Sequence, residues 1–153
     1  MNRVELKVPP PLLVLLIALF MWLASLAVPP LALPFRVRVG VALGLALAGL
    51  GVGLAGFMSF RRAKTTTNPT KPHSASCLVD TGIFRFTRNP MYLGLTLELL
   101  AWAVFLSNPM AYLLVPVFVL YIDRFQIAPE ERALLSVFGS EYATYKKSVR
   151  RWL

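Results

Sequence analysis

The chain has 153 residues, of which 57% are hydrophobic and only 15% are charged. A soluble domain of this length carries roughly a quarter charged residues, and the excess apolar residues here lie in long runs. These features indicate an integral membrane protein of one domain, and the single cysteine excludes an intrachain disulfide. The formal net charge is +9, but the basic residues flank apolar runs, which is typical of topology determinants and argues against nucleic-acid binding.

Four apolar segments are predicted to form membrane helices. They run from about residue 11 to 28, 37 to 60, 91 to 106 and 110 to 122. Because backbone groups in lipid must be paired internally, we expect an all-α helical bundle of about four transmembrane helices. The last two segments are shorter than the roughly 20 residues that span a bilayer. The turn residues Ser107-Asn108-Pro109 between them predict a helical hairpin.

The first segment has an alternative interpretation as a cleaved signal peptide. Basic residues precede it, and Ser25-Leu26-Ala27 resembles a small-residue cleavage site. The apolar run is longer than the usual core of roughly 7–15 residues, so we favour an uncleaved span.

The distribution of basic residues predicts the orientation. The regions before the first span, between the second and third, and after the fourth hold 14 of the 16 basic residues, and only Arg36 and Arg38 lie elsewhere. With four spans these three regions share one side, which the positive-inside rule assigns to the cytoplasm. We expect an inner (plasma) membrane or endomembrane protein with both termini cytoplasmic.

We divide this single membrane domain, residues 1–153, into four parts. Residues 1–60 hold two N-terminal spans, 61–90 a cytosolic cofactor loop, 91–122 the helical hairpin and 123–153 the C-terminal helices. Pro129 is expected to open a helix that Gly139 breaks. The amphipathic helix after Gly139 lies either along the membrane surface or, as a solvated helix, on the loop.

The second span is rich in glycine. Its sequence GVGLAG, which begins at Gly51, matches a dinucleotide-binding pattern but lies inside an apolar helix, so it lacks the required strand-to-helix context. Small residues four or five positions apart are instead predicted to form a smooth face for close helix packing. These are Gly40, Gly44, Gly49 and Gly53.

Several isolated polar residues leave more than one interpretation open. One histidine, His73, and one cysteine do not make a structural zinc site, so no metal is expected. Glu98 lies inside the third span, where it serves either as a pocket wall or proton acceptor, or as a structural hydrogen-bonding group. Arg124 is either half of an interfacial pair with Asp123 or a group at the mouth of a pocket near Glu130.

The strongest motif is Arg88-Asn89-Pro90-Met91-Tyr92 at the start of the third span. Proline is tolerated in the first turn of a helix, and the unpaired N–H groups there form a site for a carboxylate or phosphate. Glu130 and Glu131 come soon after the hairpin that this motif opens. Together they predict a polar pocket at a membrane surface, which suits an enzyme that joins a polar cofactor to an apolar substrate.

At this point residues 69–152 resemble the isoprenylcysteine carboxyl methyltransferase and phospholipid methyltransferase group of membrane enzymes. The first two spans match this group only in being hydrophobic. The matching elements are Leu78-Val79, Gly82-Ile83-Phe84, Arg88-Asn89-Pro90-Met91-Tyr92, Asn108-Pro109, Glu130-Glu131, Phe138-Gly139, Tyr142, Tyr145 and Val149.

The resemblance implies S-adenosylmethionine as the methyl donor. Arg88 suits the cofactor's carboxylate, Glu130 its amine or ribose hydroxyls, and Phe84 and Tyr92 its adenine or sulfonium. The expected cofactor-binding residues are Ser76, Cys77, Leu78, Val79, Phe84, Arg88, Asn89, Pro90, Met91, Tyr92, Glu130 and Glu131.

The sequence departs from the eukaryotic pattern at two positions. Asn89 stands where those members carry His, which leaves a donor and an acceptor in place. Gln126 stands where they carry a substrate-contacting Arg, and glutamine does not replace bidentate binding of a carboxylate. Arg124, two residues earlier, is a substitute, and the candidate catalytic residues are therefore Glu98, Arg124 and Gln126.

The function expected from this resemblance is methyl transfer to a lipophilic substrate that enters from the bilayer. The substrate is an isoprenylcysteine-like carboxylate, a lipid headgroup, or a small thiol or amine. Two alternatives are an NADPH-dependent membrane reductase of the sterol type and a non-catalytic membrane scaffold.

Overall fold

The structure is a computed structural model that describes residues 6, 8–63 and 77–153. In these residues every regular element is helical, which confirms the predicted all-α fold. The elements are α1 (Pro10–Ala27), α2 (Phe35–Arg62), a 3₁₀ turn (Gly82–Arg85), α3 (Pro90–Leu106), α4 (Pro109–Ile122), a π-helical segment (Asp123–Ile127) and α5 (Ala128–Ser148).

Within the part of the chain that the structure describes, three helical runs are long and apolar enough to cross a membrane, judged by length and composition. They are α1, α2 and the run that begins at Pro109, whose apolar part is α4. Helix α3 is apolar but shorter, with 17 residues. The four predicted apolar helices are thus present. We treat α1 to α4 as the membrane-spanning helices and α5 as lying outside them.

The turn between α3 and α4 closes the predicted hairpin and also anchors α1. Ser107 adopts a left-handed conformation, with φ of 51°, and ends α3. The Asn108 side chain then accepts a hydrogen bond from Met110 N (3.0 Å), which caps α4, and donates to Val28 O (2.8 Å) just after α1. Capping satisfies backbone groups that the helix itself leaves unpaired.

Helices α2 and α3 make the most extensive contact in the fold, and glycines allow their close approach. A Cβ atom added at Gly49 would lie 2.9 Å from Gly94 O, and one added at Gly94 would lie 2.7 Å from Gly49 O. The predicted glycine face is therefore only partly right. Gly40 and Gly44 have open space around them, because the crossing lies nearer the other end of α2.

Helix α5 begins at Ala128 with Pro129 in its first turn, as predicted, but no break separates it from the preceding segment. The helical run continues from α4 through the π-helical segment into α5, so Pro129 lies inside it. Proline has no N–H to donate to the carbonyl of Phe125, and that carbonyl instead accepts a hydrogen bond from Leu6 N (3.1 Å). The predicted interruption at Gly139 is present, with φ of 53° and ψ of −122°.

Residues 149–152, which we call the C-terminal strap, lie against the start of α3. Arg88 N donates to Arg150 O (3.0 Å), and Thr87 Oγ1 donates to Arg151 O (3.2 Å). The strap thereby connects the end of the chain to the segment that carries the strongest sequence motif.

Candidate active site

A cavity of about 550 Å³ lies where α2, α3, α5 and the segment before α3 meet. Its wall is mostly apolar, and the ionisable side chains that the described residues contribute to it come from the C-terminal half of the chain. The lining residues are Pro10, Pro11, Gly49, Leu50, Gly53, Leu54, Phe60, Cys77, Leu78, Val79, Phe84, Arg88, Asn89, Pro90, Met91, Tyr92, Gly94, Leu95, Glu98, Glu130, Leu134, Tyr142 and Tyr145.

Most residues that the sequence predicts to bind a cofactor line this one cavity. They are Cys77, Leu78, Val79, Phe84, Arg88, Asn89, Pro90, Met91, Tyr92 and Glu130. Ser76 lies outside the residues that the structure describes. Glu131 lies beside the cavity but not in its wall. The fold thus brings together residues that are up to 53 positions apart, from Cys77 to Glu130.

A hydrogen bond between Tyr92 and Glu130 links α3 to α5 at the cavity wall. The Tyr92 hydroxyl donates to Glu130 Oε1 at 2.5 Å. Burial raises the pKa of the Glu130 carboxyl to about 8; the Tyr92 hydrogen bond lowers it and the neighbouring charge of Glu131 raises it. A cationic or hydroxyl-bearing ligand beside Glu130 would favour the ionised form of this carboxyl and lower its pKa.

Arg88 lines the cavity and has two buried hydrogen-bond donors without a partner among the described residues. Its side chain is only 8% exposed, and its Nη2 atom lies 3.1 Å from Glu131 Oε1. Its Nε and Nη1 atoms are buried and have no hydrogen-bond partner among the described residues. Buried donors without partners are costly, and in a cavity wall they indicate a site for an anionic ligand group.

Glu131 is surrounded by cations instead of facing the cavity. It contacts Arg88, Lys146 and Arg151, with the Arg151 guanidinium on both of its oxygens. Burial alone would raise the pKa of Glu131, but the hydrogen bonds from Arg151 and Lys146 and the charges of Arg88 and Arg151 lower it overall. Glu131 is therefore an ionised structural group, and it binds the Nη2 atom of Arg88.

The start of α3 adopts the predicted geometry. Pro90 occupies the first turn, and Asn89 is the residue before it. Asn89 Nδ2 donates to Arg151 O (2.9 Å), so one N–H of this amide is already occupied. The Asn89 side chain consequently retains its acceptor oxygen and one of its two N–H donors for a ligand.

Three aromatic residues that the sequence analysis did not assign to the site, Phe60, Tyr142 and Tyr145, form one wall of the cavity together with Phe84. Phe60 packs edge-on against Phe84, with ring centroids 5.1 Å apart, and the Tyr145 hydroxyl donates to Phe84 O (2.8 Å). Tyr142 lies beside Tyr145 in the same buried cluster. In the sequence, Leu134, Tyr142 and Tyr145 follow Glu130 at helical spacing, which could have predicted this wall. The break at Gly139 interrupts that pattern.

Glu98 lies at the membrane end of the cavity. It is eight residues beyond Pro90 on α3, which is about 12 Å along the helix axis. It lines both this cavity and a second groove, of about 340 Å³, between α2 and α3. The fold thus places one carboxyl between the main cavity and the apolar groove along α2 and α3.

Arg124 and Gln126 do not line the cavity. Both belong to the π-helical segment, where Arg124 is exposed and Gln126 is fully buried. Gln126 Nε2 donates to Val8 O (2.8 Å), which fixes the chain just before α1. Asp123, the expected neighbour of Arg124, pairs with Arg151 Nη1 at 3.1 Å.

No group of three or more His, Cys, Asp or Glu side chains that could hold a metal ion occurs within residues 8–63 and 77–153. His73 lies outside this part of the chain.

Comparison with known families identifies the class of protein. The family model described as phospholipid methyltransferase matches residues 37–141, which is more than half of the chain. The chain therefore belongs to the phospholipid methyltransferase family. Family and helix composition together point to a membrane methyltransferase.

Two curated relatives match parts of the chain. An uncharacterized protein of Haemophilus influenzae is 57% identical over 63 residues, which are 41% of this chain and all of that protein. The protein-S-isoprenylcysteine O-methyltransferase of Saccharomyces cerevisiae is 36% identical over 83 residues, which are 52% of this chain but only 34% of the yeast protein. No solved structure matches the chain.

Proposed function

We propose that this protein transfers a methyl group from S-adenosylmethionine to a lipophilic substrate at a membrane surface. The observation that carries the proposal is the pair of partnerless Arg88 donors in the same cavity wall as the Tyr92–Glu130 hydrogen bond. An arginine and a carboxyl thus line one end of a cavity whose wall is otherwise mostly apolar and aromatic. A zwitterionic amino acid attached to a nucleoside matches that arrangement.

The residues present fit each part of the cofactor. Arg88 Nε and Nη1 suit a carboxylate, and the unpaired N–H groups at the start of α3 lie in the same wall. Glu130 suits the ammonium group or the ribose hydroxyls. The rings of Phe84 and Tyr142 offer stacking surfaces for the adenine base.

When bound, S-adenosylmethionine supplies an electrophilic methyl group on a sulfonium sulfur. The protein's part is to hold the donor and the substrate in line, an effect worth up to roughly 7–11 kcal/mol in well-aligned systems. Arg88 and Glu130 fix the polar end, and the apolar wall of Leu50, Leu54 and Leu95 limits water around the reacting atoms.

The substrate approaches from the bilayer, and the cofactor from the cytosolic side. Glu98 and the second groove between α2 and α3 support a path from lipid into the membrane end of the cavity. If the nucleophile is an amine or a thiol, Glu98 is placed to accept its proton. A carboxylate nucleophile needs no base, but neither Arg124 nor Gln126 is in the cavity to bind it.

The distribution of basic residues supports an orientation with both termini and the loop before α3 in the cytoplasm. That orientation puts the Arg88 end of the cavity on the side where S-adenosylmethionine is made, and it is part of the same proposal.

A transfer assay tests the proposal. Full-length protein in vesicles is given S-adenosylmethionine with a labelled methyl group, with either an aminophospholipid or a prenylated cysteine in the bilayer. Label should enter the lipid fraction with one of these substrates and should be lost in Glu130→Ala but not in Glu141→Ala, a change at an exposed position on the same helix. Absence of label with every substrate, together with failure to bind S-adenosylhomocysteine, would contradict the proposal.

A further inference from the structure

The C-terminal strap holds the three residues around Arg88 through backbone carbonyls. Arg88 N donates to Arg150 O at 3.0 Å. Thr87 Oγ1 and Asn89 Nδ2 both donate to Arg151 O, at 3.2 and 2.9 Å. Because these bonds use the strap's main chain, they do not require its side chains.

The Arg151 side chain, unlike its carbonyl, binds Glu131. Arg151 Nε donates to Glu131 Oε1 (3.0 Å), and Arg151 Nη2 donates to Glu131 Oε2 (2.8 Å). This two-point arrangement is the strongest pairing between a guanidinium and a carboxylate. Arg88 also reaches Glu131, but through Nη2 alone, at 3.1 Å from Oε1.

Two arginines and the more exposed Lys146, whose Nζ lies 3.0 Å from Glu131 Oε2, thus share one buried carboxylate. Of the two arginines, Arg151, which is outside the cavity wall, holds it at both oxygens. Asp123 anchors Arg151 from a second side, with Oδ2 3.1 Å from Nη1. The side chain of Glu131 is only 8% exposed, so it strongly requires cationic partners. If Arg151 were absent, the nearest guanidinium able to replace it would be that of Arg88.

We infer that Arg151 is a positioning residue that prevents Glu131 from capturing Arg88 and so leaves Arg88 Nε and Nη1 free for the carboxylate of the ligand. The inference rests on the proposed function and adds a residue that does not touch the cavity. Loss of the Arg151 side chain turns Arg88 toward Glu131, while the backbone bonds of the strap remain.

The test uses a pair of ligands that differ only in the carboxylate. Full-length protein in detergent is titrated with S-adenosylhomocysteine and with its decarboxylated form, which retains the adenosine, the sulfur and the amine. Arg151→Gln should weaken binding of S-adenosylhomocysteine about tenfold or more, the range for one charge-assisted hydrogen bond. It should change binding of the decarboxylated ligand by no more than about twofold, as for a surface substitution.

Three further variants show what the Arg151→Gln result means. Arg88→Gln should show the same selective loss as Arg151→Gln. Arg150→Gln should show none, because this exposed side chain can be changed while its carbonyl still accepts from Arg88 N. Adding Glu131→Gln to Arg151→Gln should restore binding of S-adenosylhomocysteine, since a neutral amide does not capture Arg88.

Equal losses for both ligands in Arg151→Gln would show that the side chain only supports the fold, and no loss would show that Arg88 is held without it. Either result overturns the inference and leaves the proposed function intact. Wild-type protein that binds neither ligand would instead overturn the proposed function, and the inference would fall with it.

Discussion

The N-terminal and C-terminal halves of the chain contribute different things to the same cavity. From residues 10–62 come only apolar lining residues, namely Pro10, Pro11, Gly49, Leu50, Gly53, Leu54 and Phe60. Among the described residues, the ionisable lining groups come from residues 77–145 and include Arg88, Glu98 and Glu130. The first half therefore shapes the cavity and the second half supplies its chemistry.

The two halves therefore place different requirements on the amino-acid sequence. Helix α2 needs small residues where it crosses α3, since a Cβ atom at Gly49 would meet the Gly94 carbonyl at 2.9 Å. Elsewhere α2 and α1 need only to be apolar. The C-terminal half requires particular residue types at more positions. Tyr92 and Glu130 are hydrogen-bonded to each other, and Arg88 has donors for a ligand.

The largest expected effect is at Glu130. Glu130→Ala removes both the partner of the Tyr92 hydroxyl and the group that faces the ligand's ammonium or ribose. Binding of S-adenosylhomocysteine should weaken by about a hundredfold or more, because truncating a buried charged partner costs roughly 3–5 kcal/mol. Calorimetric titration measures this, with Glu141→Ala as the exposed control; a Glu130→Ala protein that binds normally would remove Glu130 from the site.

Arg88 should have the next largest effect. Arg88→Gln removes the two partnerless donors and should weaken S-adenosylhomocysteine binding by about tenfold to a hundredfold, the range for a charge-assisted hydrogen bond. The matched control is Arg85→Gln, at an exposed position in the same segment. Similar losses in the two variants would mean that total positive charge matters and not the donors of Arg88.

The pH dependence of binding should follow the ionisation of Glu130. The pKa of this carboxyl is raised to about 8, so below that pH the free protein must release a proton to bind an ammonium group. Affinity for S-adenosylhomocysteine should therefore fall about tenfold per pH unit below 8, until the pKa in the bound state is reached. Titrations at pH 6.5 and 8.5 measure the effect, and an equal dependence in Glu130→Gln would assign it to another group.

A change in the N-terminal half should affect stability and not chemistry. Gly49→Ala places a Cβ atom 2.9 Å from Gly94 O and 3.0 Å from Leu97 Cβ, so the α2–α3 crossing must shift. Overpacking of this kind costs about 1–3 kcal/mol, and the unfolding temperature in detergent should fall. Gly44→Ala, with open space around it, is the control; equal unfolding temperatures would contradict the role of Gly49 at the crossing.

Local patterns predicted much of the fold. Apolar runs marked the helices to within two residues, and proline and asparagine marked the hairpin turn and the start of α3. These features depend on neighbouring residues in the chain, so they can be derived without the tertiary structure. The sequence did not predict that α4 continues into α5 without a break. There the carbonyl of Phe125 accepts a hydrogen bond from the distant Leu6 N, a contact that no local pattern indicates.

The site was less predictable because its groups are selected by long-range contacts. Glu130 and Glu131 are adjacent in sequence, yet one faces the cavity and the other is held by Arg151 at the end of the chain. Phe60 enters the wall from α2, which no motif near Phe84 indicates. The position of Gln126 suggested a substrate contact, but the structure uses its amide to fix Val8.

The most direct test of the proposed cofactor site is a calorimetric titration of the wild-type protein in detergent with S-adenosylhomocysteine and, in parallel, with NADPH. We expect binding of S-adenosylhomocysteine with a dissociation constant in the micromolar range and no binding of NADPH. Binding of NADPH alone would move the protein to the reductases, and binding of neither ligand would contradict the assignment of the Arg88–Glu130 cavity as a cofactor site.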